Sequence, residues 1–322
     1  MHFDDRGTVY SFDAVTGGRL EGSAFLAYRY EPDTRVTPWR MESWVVLPSD
    51  NTSLTGERLI SLELGIHGYL TRVWRAPGGS VFASDFDGRL YVRDPLGRGW
   101  RATNLGPDVQ LHGVWGVSDD RYYVWGRGAW GPFIWAAVDG QFQQMPAPPG
   151  YITTLRGTSP DLLYAAGRRG LLAKWDGERW TKIELHVLRD LTGLSAGEPN
   201  DLWATTESGK LFEGTQHGWA LRAQFDGPLF DVVRWAGDVW VAAGRRGLLK
   251  LRGKTNMFES RAPDVAAISL SPGADLLAVG EDSLAVSRDG VEFQIVCRHA
   301  LRSHRQGRPP RWASGARARG HQ

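Results

Sequence analysis

The chain has one cysteine, four methionines and no long apolar run. A lone Cys297 excludes an intramolecular disulfide framework and supplies too few ligands for a structural zinc site. No segment approaches the roughly 18 consecutive apolar residues of a membrane-spanning helix, so no membrane contact is expected. The opening residues Met1-His2-Phe3-Asp4-Asp5-Arg6 are acidic where a secretory leader would be cationic and then apolar. The expected compartment is therefore the cytoplasm. Helical periodicity is scarce as well, and only residues 183–191 carry a short helix-like stretch. Acidic residues are missing from 297–322, which hold seven arginines. Subtracting these from the net charge of +2 leaves −5 for residues 1–296 (2 − 7 = −5).

What the chain does have is 40 glycines, 17 prolines and 15 tryptophans. Gly and Pro punctuate short strands, and Trp is a strand former that buries a large surface. An octapeptide occurs twice, as Ala165-Ala-Gly-Arg168-Arg169-Gly170-Leu-Leu172 and as Ala242-Ala-Gly-Arg245-Arg246-Gly247-Leu-Leu249. Aligned on its last glycine, it belongs to a series of turns at Gly88, Gly131, Gly170, Gly209, Gly247 and Ser283, spaced 43, 39, 39, 38 and 36 residues apart. Before each turn comes a β-rich entry segment, such as Leu70-Thr-Arg-Val73, Leu111-His-Gly-Val114, Ile152-Thr-Thr-Leu155 or Leu191-Thr-Gly-Leu194. After each comes an aromatic: Trp100, Phe142, Trp180, Trp219, Phe258 and Phe293.

Asp-Gly between alternating runs, as at Asp176-Gly177, is a hairpin signal. Four strands in about 40 residues match a β-propeller blade. The expected fold is all-β, a propeller of four-stranded blades. Six repeats cover 70–296, and strand candidates within 1–69 supply a divergent N-terminal blade. Seven blades are expected, with six plus an N-terminal extension as the alternative. The reading is one propeller over 1–296, monomeric, followed by a basic, disordered tail over 297–322.

The units Gly167-Arg-Arg-Gly-Leu-Leu-Ala-Lys-Trp-Asp176-Gly177-Glu-Arg-Trp180 and Ser287-Arg-Asp289-Gly290-Val-Glu-Phe293 resemble bacterial BNR/Asp-box repeats. Photosystem-II-assembly-factor-like propellers and sialidases share that repeat. The copies at 92–97 and 213–218 depart from the pattern. The resemblance implies that each Asp caps its own hairpin with an aromatic packed beneath it. A sialidase resemblance further implies three arginines gripping a carboxylate and a Tyr–Glu pair.

The candidate chemistry is sparse. No two histidines of the body have ligand spacing, and each reads as a surface or turn residue, so no metal is expected. Cys297 has no local activating partner and reads as inert. The glycines of 126–131 mimic a nucleotide loop but fall between strands, so no cofactor is expected. The pairs Arg168-Arg169 and Arg245-Arg246 sit on equivalent turns and form a candidate basic patch for an acidic partner. Arg72, Arg75, Arg156 and Arg234 fall near entry strands that line the channel. Trp74, Trp115 and Trp130 are candidate contact residues in neighbouring blades. The expected function is a non-enzymatic scaffold that binds a protein partner, as in an immunity or assembly-factor role. The alternatives are a sialidase-like or carbohydrate-binding propeller and, less favoured, a nucleic-acid-associated protein acting through the tail.

Overall fold

The computed structural model describes residues 2–3, 9–31, 40–52, 58–215, 217–253, 255–280 and 283–298. The basic tail beyond 298 and the Cys297 side chain lie outside this description. The strands form seven antiparallel sheets, six of four strands and an N-terminal one of five. They are blades 1 (2–67), 2 (70–104), 3 (110–145), 4 (152–182), 5 (191–224), 6 (231–262) and 7 (267–298) of a seven-bladed β-propeller. The fifth strand of blade 1, His2–Phe3, pairs with the inner strand Val9–Thr16. No described N-terminal strand joins blade 7.

Strand alternation sends successive side chains to opposite faces of each blade, so every blade has two apolar faces and needs a neighbour on each. The core accordingly divides into seven clusters, one at each junction, including blade 7 against blade 1. Trp125 and Trp240 are fully buried in such wedges. The closing aromatics pack as expected: Trp180 lies 5.6 Å from Trp175 and Phe293 lies 5.7 Å from Trp240, centroid to centroid.

Residues 183–190 are not helical. His186 takes a positive φ of 51°, which interrupts any helix, and Leu185 and Val187 alternate into the blade 4–5 cluster instead. Turn glycines Gly88, Gly131, Gly170, Gly209 and Gly247 all have positive φ, whereas Ser283 simply begins a strand.

One irregularity recurs. The inner strands of blades 2, 3, 4, 5 and 7 carry a β-bulge near their start, that of blade 1 carries one midway, and that of blade 6 carries none. The skipped residues are Asp13, Thr71, His112, Thr153, Thr192 and Ile268. Thr153 Oγ1 donates to Ala166 O in its own blade and Leu191 O in the next, both at 3.1 Å. Thr192 Oγ1 donates to Leu229 O at 2.7 Å. Bulge hydroxyls thus stitch neighbouring blades together.

Candidate functional site

The turns between second and third strands share one face of the disc with the entries to the inner strands; this is the upper face. Both ends of the central channel open into cavities, of about 860 Å³ above and about 530 Å³ below. Arg72, Arg156, Asp231 and Ser269 line both, and so form the waist between them.

The waist holds four charged groups from blades 1, 2, 4 and 6. Arg72 crosses the channel, its Nη2 donating to Thr153 O at 3.2 Å, while its Nε is buried without a partner. Arg156 Nη1 donates to its own neighbour's carbonyl, Leu155 O, at 2.9 Å. Asp231 accepts from Val232 N–H and, across the blade junction, from Leu270 N–H, both at 2.9 Å. Burial pushes the Asp231 carboxyl up, opposed by the Leu270 amide and then by Arg156 and Arg72. Asp13, on the bulge of blade 1, is likewise raised by burial and lowered by Arg72. Burial and the neighbouring Arg72 charge bring Arg156 down to about 10, against Asp231.

The upper cavity gathers five of the sequence-selected arginines: Arg72 and Arg156 at the waist, then Arg168, Arg245 and Arg246 toward the mouth. Arg169 lies on the same turn as Arg168, and its N–H donates to Asp190 Oδ1 at 2.9 Å. Arg168 sits 3.9 Å from Asp190 Oδ2 and stacks 4.1 Å above the Tyr151 ring. Tyr151 in turn stacks on His112 at 4.1 Å.

His112 corrects the expectation of a surface or turn residue. It is a bulge residue of an inner strand, its Nδ1 buried without a partner. Burial brings it down to about 4, with Arg168 and Arg127 adding to the effect and the Ile152 carbonyl opposing it.

Trp130 projects fully into solvent at the tip of the blade 3 turn, at 102% relative exposure. It belongs to a set on the upper face: Tyr69, Phe86, Leu188 and Phe230 are the other large exposed apolar side chains on turns or entries there. Trp74 and Trp115 line the lower cavity instead. Trp74 is buried against Phe82, and Trp115 stacks 6.4 Å from Tyr123. Arg75 and Arg234 also line the lower cavity, with Arg234 held 3.4 Å from Asp201.

Sequence reading missed Asp13, Asp231 and the Arg168–Tyr151–His112 stack. A signal existed: the second residue of the aligned entry segments is Thr71, His112, Thr153 and Thr192, a polar column directly after an apolar one (Leu70, Leu111, Ile152 and Leu191). Among the described residues no tyrosine lines either cavity, so they do not assemble the Tyr–Glu pair of the sialidase resemblance there. Among the described residues no group of three His, Cys, Asp or Glu is placed to hold a metal. No described helix is long and apolar enough to cross a membrane.

The two Asp-box-like turns are formed as hairpin caps. Asp176 Oδ1 accepts from Glu178 and Arg179 N–H at 3.0 and 2.9 Å. Asp289 Oδ1 accepts from Val291 and Glu292 N–H at 2.8 and 3.0 Å, and Ser287 Oγ accepts from Gly290 N–H at 2.9 Å. These backbone donors hold both carboxyls below the usual range.

No family model and no curated protein matches the chain. Among solved structures it is similar to YCF48 bound to D1 peptide, at 13% identity over 79% of this chain and 84% of that one, with a TM-score of 0.57. It is similar to the WD40 beta propeller domain of Doa1, at 11% identity over 87% and 94%, TM-score 0.61. It is also similar to virginiamycin B lyase from Staphylococcus aureus, at 12% identity over 84% and 92%, TM-score 0.60. At these identities the likeness establishes the propeller fold alone.

Proposed function

We propose that the chain is a non-enzymatic propeller scaffold that binds a protein partner on its upper face, through an extended segment carrying acidic residues. The observation that carries this reading is the coincidence on one face of exposed Tyr69, Phe86, Trp130, Leu188 and Phe230 with Arg168, Arg169, Arg245 and Arg246. Aromatic and arginine side chains are the residue types that dominate binding energy at interfaces. Arginine rims also steer acidic partners. The solved YCF48 structure holds a D1 peptide, which supports the reading by analogy of fold. The Asp176 and Asp289 caps support kinship with bacterial Asp-box propellers. On this reading the chain is a cytoplasmic monomer, one propeller domain followed by the basic tail, serving as an assembly factor or a toxin-neutralising protein.

The test is affinity capture from the native host with the wild type, a W130A/R245E/R246E variant and a lower-face M257D control. The upper-face variant is expected to lose a stoichiometric partner that the control retains, a loss of roughly 2–4 kcal/mol for a central aromatic–arginine cluster. Absence of a stoichiometric partner, or retention by the upper-face variant, overturns the reading.

A further inference from the structure

We propose that the channel-facing edge of blade 1 takes an extended acidic segment of the partner by β-strand addition, and that the chain's own residues 2–3 occupy this edge in the partner's absence. The inference rests on the upper-face reading above and names how the segment is held.

The inner strand of every blade turns one edge to the channel, where its N–H and C=O groups form a row open to a further strand. Six of the seven sheets begin with the inner strand and carry no described strand on that edge. In blade 1, His2–Phe3 pairs there in antiparallel sense, with His2 opposite Tyr10 and Phe3 opposite Val9. This edge therefore accepts an added strand, and the chain's own segment uses only part of it. Past Tyr10 the inner strand runs on through Ser11 and Asp13, which line the upper cavity, and no described strand pairs with that stretch on the channel side. In β-strand addition the main-chain hydrogen bonds supply the affinity. A two-residue ladder supplies few of them, so a longer segment that continues alongside Ser11 displaces it.

The chemistry of the occupant matches the mouth. In sequence, His2-Phe3-Asp4-Asp5 sets an aromatic beside two carboxylates, and Arg168, Arg245 and Arg246 line the same cavity toward its rim. Polarity follows from the register. The step from His2 to Phe3 moves the added strand from Tyr10 to Val9, toward the upper mouth. A partner segment laid in the same direction meets the arginines with the residues C-terminal to its paired stretch, and its acidic residues belong there. The chain's own segment is a competitor, held at high effective concentration by its tether.

The experiment uses the full chain, with a fluorescein-labelled peptide of the Met1–Thr8 sequence as probe and anisotropy as readout. H2P/F3P removes the backbone donors of the cis strand. It is expected to bind the peptide roughly tenfold or more tightly than wild type, in which the tethered residues compete. H2G/F3G keeps the donors but loosens the strand and is expected to fall between the two, so the proposal stays testable if the proline variant fails to fold. A peptide N-methylated at the His2 and Phe3 amides is expected to lose binding, and a D4N/D5N peptide to bind severalfold more weakly. Equal binding by wild type and both variants, no binding by either variant, retained binding of the N-methylated peptide, or full affinity of the D4N/D5N peptide each overturns the proposal. The peptide needs no partner, so the two readings fail separately. Peptide binding without a captured partner overturns the partner reading; upper-face capture without peptide binding overturns the strand site.

Discussion

His112 occupies the bulge position that blades 4 and 5 fill with Thr153 and Thr192. A threonine there hydrogen-bonds the next blade through its hydroxyl; His112 also reaches the next blade, at the Ile152 carbonyl, but buries an imidazole whose Nδ1 finds no partner. Its folded-state value near 4 lies below its ordinary 6.5. Between those values the unfolded chain takes up a proton that the folded chain refuses, so stability rises with pH across that window. The contribution is fully present above about 6.5 and is lost as pH falls through about 4. The raised Asp13 and Asp231 act with the opposite sign nearer the carboxylate range, so the comparison must be between variants. H112T is expected to lose less melting temperature than wild type between pH 7 and pH 4.5, a difference on the order of 1 kcal/mol after screening. Equal losses would show that His112 does not set the acid sensitivity.

The repeated octapeptide shows how one sequence makes two different turns. In blade 4 Gly167 is extended and paired with Ile152, and the αL conformation falls on Arg169, at φ 56°, ψ 38°. In blade 6 the bulge is absent, Phe230 packs where a Cβ of Gly244 would stand, and Gly244 itself takes positive φ. Arg169 therefore carries strain on the face proposed to bind a partner, and Arg246 does not. R169G is expected to raise stability by about 0.5–1 kcal/mol, because αL costs an L-residue roughly 1–2 kcal/mol and glycine returns part of that as chain entropy. R246G is expected to be neutral or destabilising by up to about 1 kcal/mol. Thermal melts of the pair check this; matching shifts would refute it.

The same element shows what could be read from the chain. Turn glycines and hairpin aspartates follow local rules, so the period, the strands and the upper-face arginines were legible. A bulge is a property of pairing between strands, and no single strand displays it. The waist was half legible: Arg72 and Arg156 stood in aligned entry segments, but Asp13 comes from a divergent blade and Asp231 from the one inner strand without a bulge. Alternation alone did not separate exposed Trp130 from buried Trp125, because that depends on which side of a turn faces the next blade.

At the scale of the whole molecule, a propeller must bring its first and last blades together. Many rings could do so by sharing a strand between them; here the described strands of blade 7 all come from 267–298. The seam instead relies on an apolar cluster from Phe12 to Val296 and a set of hydrogen bonds at the lower rim. Asp275 Oδ2 accepts from Leu20 N–H and its own N–H donates to Gly18 O, both at 3.1 Å, while Ser271 Oγ donates to Gly17 O at 2.8 Å. Gly273 is what permits the approach: a Cβ there would stand 2.1 Å from Gly18 Cα, backbone against backbone. That overlap cannot be relieved by a side-chain rotation, so the two turns must part. G273V is expected to destabilise the protein by roughly 2–3 kcal/mol, at the upper end of overpacking costs. Because the described residues close the ring by this packing and these hydrogen bonds, with no shared strand, the loss should appear first at the seam. Hydrogen exchange should speed up in Val15–Ser23 and 269–276 before it does in blades 3 to 5, since local opening follows the weakest junction. Uniform acceleration around the ring would instead mean that all seven junctions share the strain, and that closure has no privileged weak point.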